Sequence, residues 1–290
     1  MHEATATLAE ACHAVGMDSS EAELIRAGEN MLYRLPGGVV ARVSRPGQFD
    51  AAVREVKVSR WLRSHGVPVV EALGDVDQPV AVDGRAVTFW RELLVRRDGS
   101  LVELALLLRT LHSLPAPPFD LPPLSPFVRL RERITECASL QLEDRTWLLD
   151  RLNTLQQRYA ELPPGLPWCA VHGDAWDGNV AVTDDGPVLL DLERFAYGPP
   201  EWDLASVAVD HVTFGLVAIE DWEAFRSRYG RDVITWPGFE LLRDIRELRK
   251  VTFAWQIASE RHDIVEQARY RLDCLRGERG PRPWGWTAVA

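Results

Sequence analysis

The sequence predicts an α+β chain in which a small antiparallel sheet carrying one helix precedes a larger, mainly helical part. Two observations support this. Residues 23–94 hold short apolar or alternating runs separated by glycine- and proline-bearing turns, the pattern of strands. Helical spacing of leucines then sets in at Leu101, and helical patterns cover 128–160 and the chain from about Trp202 to its end. The length of 290 residues is about two domains' worth, or one domain with two lobes.

Composition narrows the class. With 46% hydrophobic and 26% charged residues the chain can bury a real core, which excludes disorder and collagen-like structure. The cysteines, Cys12, Cys137, Cys169 and Cys274, form no CxxC pair, so reduced core thiols are expected rather than a disulfide frame or a zinc site. No run is long and apolar enough for a membrane span, and Met1-His2-Glu3 does not open a signal peptide, so a cytoplasmic protein is expected. A net charge of −10 disfavours nucleic acid as a partner. The charge is uneven: between Glu161 and Phe225 thirteen acids face one base, Arg194, which suits a metal or a cationic ligand. Of the 33 basic residues only Lys57 and Lys250 are lysines, so chemistry that needs a lysine has few candidates.

Each element has a local reason. Residues 4–15 read as an amphipathic helix. Glu23–Ala27, Met31–Leu35 and Val39–Ser44 read as strands, with turns at Gly28-Glu29-Asn30 and Pro36-Gly37-Gly38. Asp50 is expected to cap a helix running to Ser64 and stopped at Gly66, with Val53, Val56 and Trp61 inward. Strands near Val69–Asp75 and Ala86–Leu94 complete the sheet, the second entered through an Asp83-Gly84 turn. Ser100-Leu101-Val102-Glu103 is a capping-box pattern at the head of a buried helix ending at His112. Six prolines in Pro115–Pro126 make an extended connector. Residues 128–160 read as helical throughout. Short strands follow at 168–171, 180–183 and 188–193, the last two joined at Asp184-Asp185-Gly186. The closing Trp284 and Trp286 are expected to dock as anchors.

The chemistry concentrates in Val171-His172-Gly173-Asp174-Ala175-Trp176-Asp177-Gly178-Asn179, followed after a hairpin by Leu190-Asp191-Leu192-Glu193. The pattern is HxDxxxxN and then, twelve residues on, an aspartate ending an apolar strand. Phosphoryl transfer needs these residue types in this order: a loop aspartate for the acceptor hydroxyl, then Asn and Asp to hold magnesium on the phosphates. An HGD tripeptide alone is an ordinary turn; Asn179 and Asp191 at this spacing make the case. No GxSxG elbow supports a serine hydrolase, and a hydrolytic Asp174–Asp191 pair would leave Asn179 without a role. The other histidines show no metal-ligand spacing, and His112 reads as a core residue at a helix end.

The HGDxxxxN loop, the DxE strand end and Gly198-Pro199-Pro200-Glu201-Trp202-Asp203-Leu204-Ala205 resemble the aminoglycoside phosphotransferase family, relatives of choline and protein kinases. The resemblance implies a bilobal protein-kinase-like fold, with residues 1–94 as the nucleotide-binding lobe ending in the hinge and 95–290 as the catalytic and substrate-binding lobe. It implies that Asp174 is the catalytic base, that Asn179 and Asp191 ligate Mg2+, and that His172 and Asp203 brace the loop. Glu193 either assists a metal through water or faces solvent. On the third strand Arg42 stands where the resemblance leads to a lysine, with Glu55 on the next helix as its acidic partner; arginine keeps a permanent charge and a fork of donors but differs in bulk. The Gly28-Glu29-Asn30 turn, including Asn30, would lie over the phosphates, and Trp90–Leu94, with Glu92 and Leu94, would be the hinge whose amides meet the base of ATP or GTP. Trp176 could line the acceptor pocket.

The implied activity is transfer of a γ-phosphoryl group to a hydroxyl on a small molecule, for which the acidic stretch suggests a cationic acceptor such as an aminoglycoside, as in antibiotic resistance or self-protection. A metabolite kinase for a sugar, nucleoside or amino-alcohol is the alternative enzyme. A catalytically degenerate nucleotide-binding module is the alternative of another class. Neither a membrane nor an obligate protein partner is called for.

Overall fold

In the computed structural model, which describes residues 2–28, 30–287 and 289, helix α1 (His2–Ala14) precedes the sheet, whose strands are β1 (Glu23–Arg26), β2 (Met31–Leu35), β3 (Val39–Val43), β4 (Val80–Val82) and β5 (Arg85–Arg91). All neighbours are antiparallel in the order β1-β2-β3-β5-β4. Period-two alternation gives this sheet two different faces. Tyr33, Leu35, Ala41, Val43, Val87 and Phe89 are buried on one of them with Leu8 and Ala11 of α1. Leu32, Val40 and Arg42 on the other stay partly open.

Helix α2 (Phe49–Ser64) follows β3 and buries Glu55, Val56, Ser59 and Leu62 at helical spacing. Val53 is half-buried, while Val56 and Trp61 are buried as expected. Its N-cap is Gln48, without a side-chain cap; Asp50 instead lies in the first turn, where its charge favours the positive helix end. The expected strand at 69–75 is replaced by single bridges, Val69 to Leu189 and Ala72 to Trp90. Two different partners, and a serine that intervenes, account for this. Ser59 Oγ donates to the Val70 carbonyl at 2.6 Å and accepts from the Ala72 amide at 3.1 Å, taking backbone groups a ladder would use. Strand β4 was not expected; it forms the near side of the Asp83-Gly84 turn, where both residues adopt positive φ.

Strand β6 (Arg97–Asp98) leads into α3 (Leu101–His112), whose capping box between Ser100 and Glu103 is present in full. After the proline-rich connector come α4 (Leu130–Glu136) and α5 (Leu142–Ala160). These replace the single helix expected over 128–160, because Cys137 takes extended backbone and Arg145 claims its freed carbonyl at 2.8 Å. Strand β7 (Cys169–Val171) precedes the HGD loop, and β8 (Val180–Thr183) pairs with β9 (Gly186–Leu189) as a hairpin. The strand expected over 188–193 stops at Leu189; Asp191 adopts left-handed backbone at φ 54 and a 3-10 turn spans Leu192–Arg194. Aspartate is one of the few residues that visits this conformation readily.

The remaining elements are β10 (Ala196–Gly198), α6 (Glu201–Val209), α7 (Ile219–Tyr229), α8 (Phe239–Ala258) and α9 (Val265–Leu275). The chain divides into two compact units, Met1–Pro122 with Asp177–Ala196, and Pro123–Trp176 with Tyr197–Ala290. The first unit thus extends beyond Leu94 and takes in the β8–β9 hairpin. It is tied to the segment after α2 by Leu189 donating to the Pro68 carbonyl at 2.9 Å and Val70 donating to Leu189 at 3.1 Å.

In the second unit α8 is the central helix, burying Leu242, Ile245, Leu248, Val251 and Trp255. Its acids Asp244 and Glu247 are buried but matched, Asp244 by Arg151 at 2.8 Å and Glu247 by Arg282 at 2.7 Å. Trp284 and Trp286 dock as expected: their rings stack at 5.4 Å, and the Trp284 amide donates to Thr213 at 2.7 Å. No cysteine is in a disulfide, and Cys12, Cys137 and Cys274 are buried. No helix among the described residues is long and apolar enough to cross a membrane.

Ser59→Ala should leave the Val70 carbonyl and the Ala72 amide unpaired in a buried setting, costing roughly 1–3 kcal/mol. A urea unfolding curve measures it as a lowered midpoint with an unchanged slope.

Candidate functional site

The open face of the N-terminal sheet forms one wall of a cavity of about 550 Å³ that lies wholly within the first unit. That volume is in the range of small-ligand sites. Its lining is divided by chemistry. Val40, Val70, Trp90, Leu93 and Leu190 are apolar, suited to a flat base, whereas Arg42, Glu55, Asn179, Asp191 and Glu193 are polar or charged. Asn30 and Gly28 from the β1–β2 connection also line it; Glu29 lies outside the described residues.

Arg42 is the structural centre. Its Nη1 donates to Glu55 Oε1 at 2.6 Å, the strand-to-helix pair expected from sequence. Its Nη2 donates to Glu193 Oε2 at 3.3 Å. The Asn30 amide, turned with its oxygen toward the guanidinium, accepts from Nη2 and Nε at 3.3 Å. Sequence offered Glu193 a water-mediated metal contact or open solvent; the structure adds an ion pair, which makes it a second carboxylate on Arg42. One cation thus meets two acids. Burial pushes the Glu55 carboxyl up to about 7; Arg42 opposes the rise, while the negative charges of Glu193 and Asp191 add to it.

The β8–β9 hairpin positions the candidate metal ligands. Val180 pairs with Leu189, and the Leu190 amide donates to the Asn179 carbonyl at 2.9 Å, so Asn179 and Asp191 emerge side by side at the open end of the hairpin. The left-handed turn at Asp191 ends the strand and starts the 3-10 turn bearing Glu193. Asn179 is buried and Asp191 exposed, and both line the cavity. An amide oxygen and a carboxylate are hard donors that fit Mg2+, which takes only one or two protein ligands and completes its shell with phosphate oxygens and water. Among the described residues no group of three or more His, Cys, Asp or Glu could hold a metal ion.

The segment expected to be the hinge is partly occupied by the protein's own bonds. The Arg91 amide donates to Glu71 and the Glu92 amide to Gly38, at 2.9 and 2.8 Å. The Glu92 carboxylate accepts from Arg34 Nε at 2.7 Å. Leu93, rather than Glu92 or Leu94, lines the cavity, and Leu94 is largely exposed.

In the second unit the HGD loop is held by its backbone. Asp203, fully buried near the start of α6, accepts from the His172 amide at 2.7 Å and from the Gly173 amide at 2.9 Å. Trp202 Nε1 donates to the Gly173 carbonyl at 3.0 Å, and the Trp202 ring lies under the Arg246 guanidinium at 4.2 Å. Gly173 sits at φ 84, left-handed backbone that a side chain would strain. His172 is completely buried, and its Nδ1 accepts from the Asp174 amide at 3.3 Å, which leaves the ring proton on Nε2. The brace expected of His172 and Asp203 therefore acts on the main chain immediately before Asp174. Asp174 is half-buried and Trp176 is about half exposed.

Several of the thirteen acids between residues 161 and 225 have other partners. Glu201 accepts from the Leu166 amide at 2.6 Å, Asp203 holds the HGD loop, Asp184 pairs with Arg96 at 2.7 Å and Glu193 with Arg42. Sequence reasoning did not single out Arg26 or Val70 in the cavity wall, and it reached Arg91 only as part of the Trp90–Leu94 segment. The plain alternation of β1 would have turned Arg26 to the other face, and nothing in the chain pattern announced Val70.

The folded chain binds the Glu55 proton more tightly than the unfolded chain does, so this contribution to stability is full below about pH 4.5 and is lost as pH rises through about 7. Glu55→Gln should remove that slope. Relative to the variant, the wild type is expected to lose on the order of 3 kcal/mol across this window, read from urea unfolding at a series of pH values. Parallel profiles would show that Glu55 ionises normally. Asp203→Ala should strand two buried amides and destabilise by roughly 2–5 kcal/mol, measurable by the same unfolding curves at fixed pH.

Residues 27–245 match the family model described as APH, phosphotransferase enzyme family. A segment of 83 residues, 29% of this chain, is 35% identical to ketosamine-3-kinase of Mus musculus and spans 23% of that protein, so the chain covers only about a quarter of this curated relative. Among solved structures, amicoumacin kinase hAmiN in complex with AMP-PNP and Ca2+ is similar at a TM-score of 0.65 and 14% identity, over 89% of this chain and 90% of that one. An aminoglycoside-3'-phosphotransferase of type VIII is similar at a TM-score of 0.62 and 20% identity, over 86% of this chain and all of that one (100%). These likenesses show the kinase-like fold. The family match takes in most of the sequence, including the Arg42–Glu55 pair, the HGD loop and the hairpin, and the chain belongs to the APH phosphotransferase enzyme family.

Proposed function

We propose that the protein transfers the γ-phosphoryl group of a magnesium–nucleoside triphosphate, ATP or GTP, to a hydroxyl of a small molecule. The observation that supports this best is a single cavity lined at once by the Arg42–Glu55 pair and by Asn179 and Asp191. In this reading residues 1–94 are the nucleotide-binding lobe and 95–290 the catalytic and acceptor-binding lobe. The apolar wall from Val40 to Leu93 takes the base, with Trp90–Leu94 as hinge, and Asn179 and Asp191 hold Mg2+. That ion, when bound, neutralises charge on the phosphates.

Asp174 orients the acceptor hydroxyl and takes its proton as the oxygen bonds to the γ-phosphorus. The bond from that phosphorus to the bridging oxygen breaks, and the electron pair leaves with the nucleoside diphosphate. Alignment and charge neutralisation supply most of the rate, and no covalent enzyme intermediate is called for in this reading. His172 and Asp203 contribute by fixing the backbone on which Asp174 is carried, and Trp176 borders the acceptor.

The acceptor we favour is an antibiotic such as an aminoglycoside, in resistance or self-protection, in the cytoplasm. Support comes from the acidic balance of residues 161–225, thirteen acids against one base, and from the likeness to an aminoglycoside phosphotransferase. The local identity to ketosamine-3-kinase favours a second reading, a metabolite kinase acting on a sugar derivative. Neither needs nucleic acid, a membrane or an obligate protein partner. Nucleotide consumption assayed with Mg2+ against aminoglycosides, nucleoside antibiotics, sugars and ketosamines separates them. Nucleotide binding without turnover on any acceptor would instead indicate a degenerate binding module.

Asp174→Asn should lower turnover by about 10²-fold or more while leaving triphosphate affinity and the unfolding midpoint nearly unchanged, as measured by coupled assay, calorimetry and thermal unfolding. Turnover near the wild-type rate would remove Asp174 from the mechanism.

A further inference from the structure

Arg42 is engaged on every side by Glu55, Glu193 and Asn30, and the two acids outweigh its charge. Asp191 in the same wall is reserved in the reading above for Mg2+, so apart from that ion the side chains here offer a polyphosphate little positive charge unless another arginine faces it. Two other arginines, Arg26 and Arg91, line the cavity. Arg91 lies 3.6 Å from the Glu71 carboxylate. Arg26, exposed at the end of β1, has no ion pair or hydrogen-bond partner among the described residues.

The sheet register explains how Arg26 reaches this wall. Leu24 is opposite Tyr33, which is buried on the α1 side. Regular pairing from there would set Arg26 opposite Met31, on the same α1 side. A register shift between Leu24 and Arg26 places Arg26 opposite Leu32 instead. Leu32 is in turn opposite Arg42, so Arg26, Leu32 and Arg42 form one row across three strands on the cavity face. Two strand spacings separate the arginines, roughly 10 Å between Cα atoms, a gap that phosphates met by side chains from both ends can fill. Bulges of this kind re-aim side chains beside binding sites.

We infer that Arg26 is the polyphosphate-binding cation of this cavity, with Arg42 serving chiefly to fix the carboxylates around it. This rests on the nucleotide reading above. The guanidinium gives two charge-assisted donors to phosphate oxygens, so its contribution scales with the number of phosphates and not with the base.

The test is isothermal calorimetry of the full chain with adenosine, AMP, ADP and AMP-PNP in Mg2+, and with the guanosine series in parallel. Wild type is compared with Arg26→Ala and Arg26→Lys. Because Arg26 is exposed, both variants should keep the wild-type thermal midpoint, and Arg26→Lys preserves the charge should Arg26→Ala fold poorly. The expected result is a loss for Arg26→Ala of about tenfold or more on the triphosphate analogue, a smaller loss on the diphosphate and almost none on the nucleoside, with Arg26→Lys between. Unchanged affinity for AMP-PNP and GMP-PNP, or an equal loss on the nucleosides, would overturn the inference and leave the phosphotransfer reading standing. Failure of the wild type to bind any of these ligands would overturn both.

Discussion

A guanidinium held between two carboxylates organises the first unit. Arg42 comes from β3, Glu55 from the middle of α2 and Glu193 from the turn after the β8–β9 hairpin, so one side chain fixes three elements that are far apart in the sequence. Burying Glu55 as a carboxylate would be costly without a hydrogen-bonded partner. Arginine suits the place: its planar fork serves Glu55 and Glu193 through different nitrogens, whereas an ammonium has no such division of donors. The substitution of the lysine expected from family resemblance therefore changes the wiring as well as the shape of the site. Glu193 is joined to the cation through one of its oxygens.

The HGD loop solves a related problem with opposite means. There the carboxylate is the fixed group, and main-chain amides converge on it: Asp203 takes the amides of His172 and Gly173, while Trp202 secures the Gly173 carbonyl that follows. Trp202 is itself covered by Arg246. The loop's shape thus depends on a helix start more than on its own side chains. Two side chains, His172 and Asp203, are buried so that their neighbour Asp174 can remain accessible.

Much of this was legible in the sequence because it is local. Strand alternation marked β2 and β3 closely, Ser100 and Glu103 marked α3, and Asp184-Asp185-Gly186 marked the hairpin that brings Asn179 beside Asp191. The Arg42–Glu55 pair followed from position in the family pattern. What escaped was set by partners distant in the chain. Residues 69–75 looked like a strand but split their backbone bonds between Leu189, Trp90 and the Ser59 hydroxyl. The break at Cys137 carries no glycine or proline and depends on Arg145. Glu193 could not be assigned to Arg42 from spacing, since 151 residues separate them. Arg26 was hidden by a one-residue slip in pairing, which reverses the face a side chain takes.

The hairpin that carries Asn179 and Asp191 bears on how the motif can vary. Its cross-strand pairs run from Val180 with Leu189 to Thr183 with Gly186, and the two polar residues follow at the free end. Lengthening both arms by one residue would move the tip outward and leave that end as it is. Adding a residue to one arm alone would have to be taken up as a bulge or would shift the pairing that sets Asn179 against Leu190. The interval between the asparagine and the aspartate is therefore free to change at the tip so long as the pairing at the open end is kept.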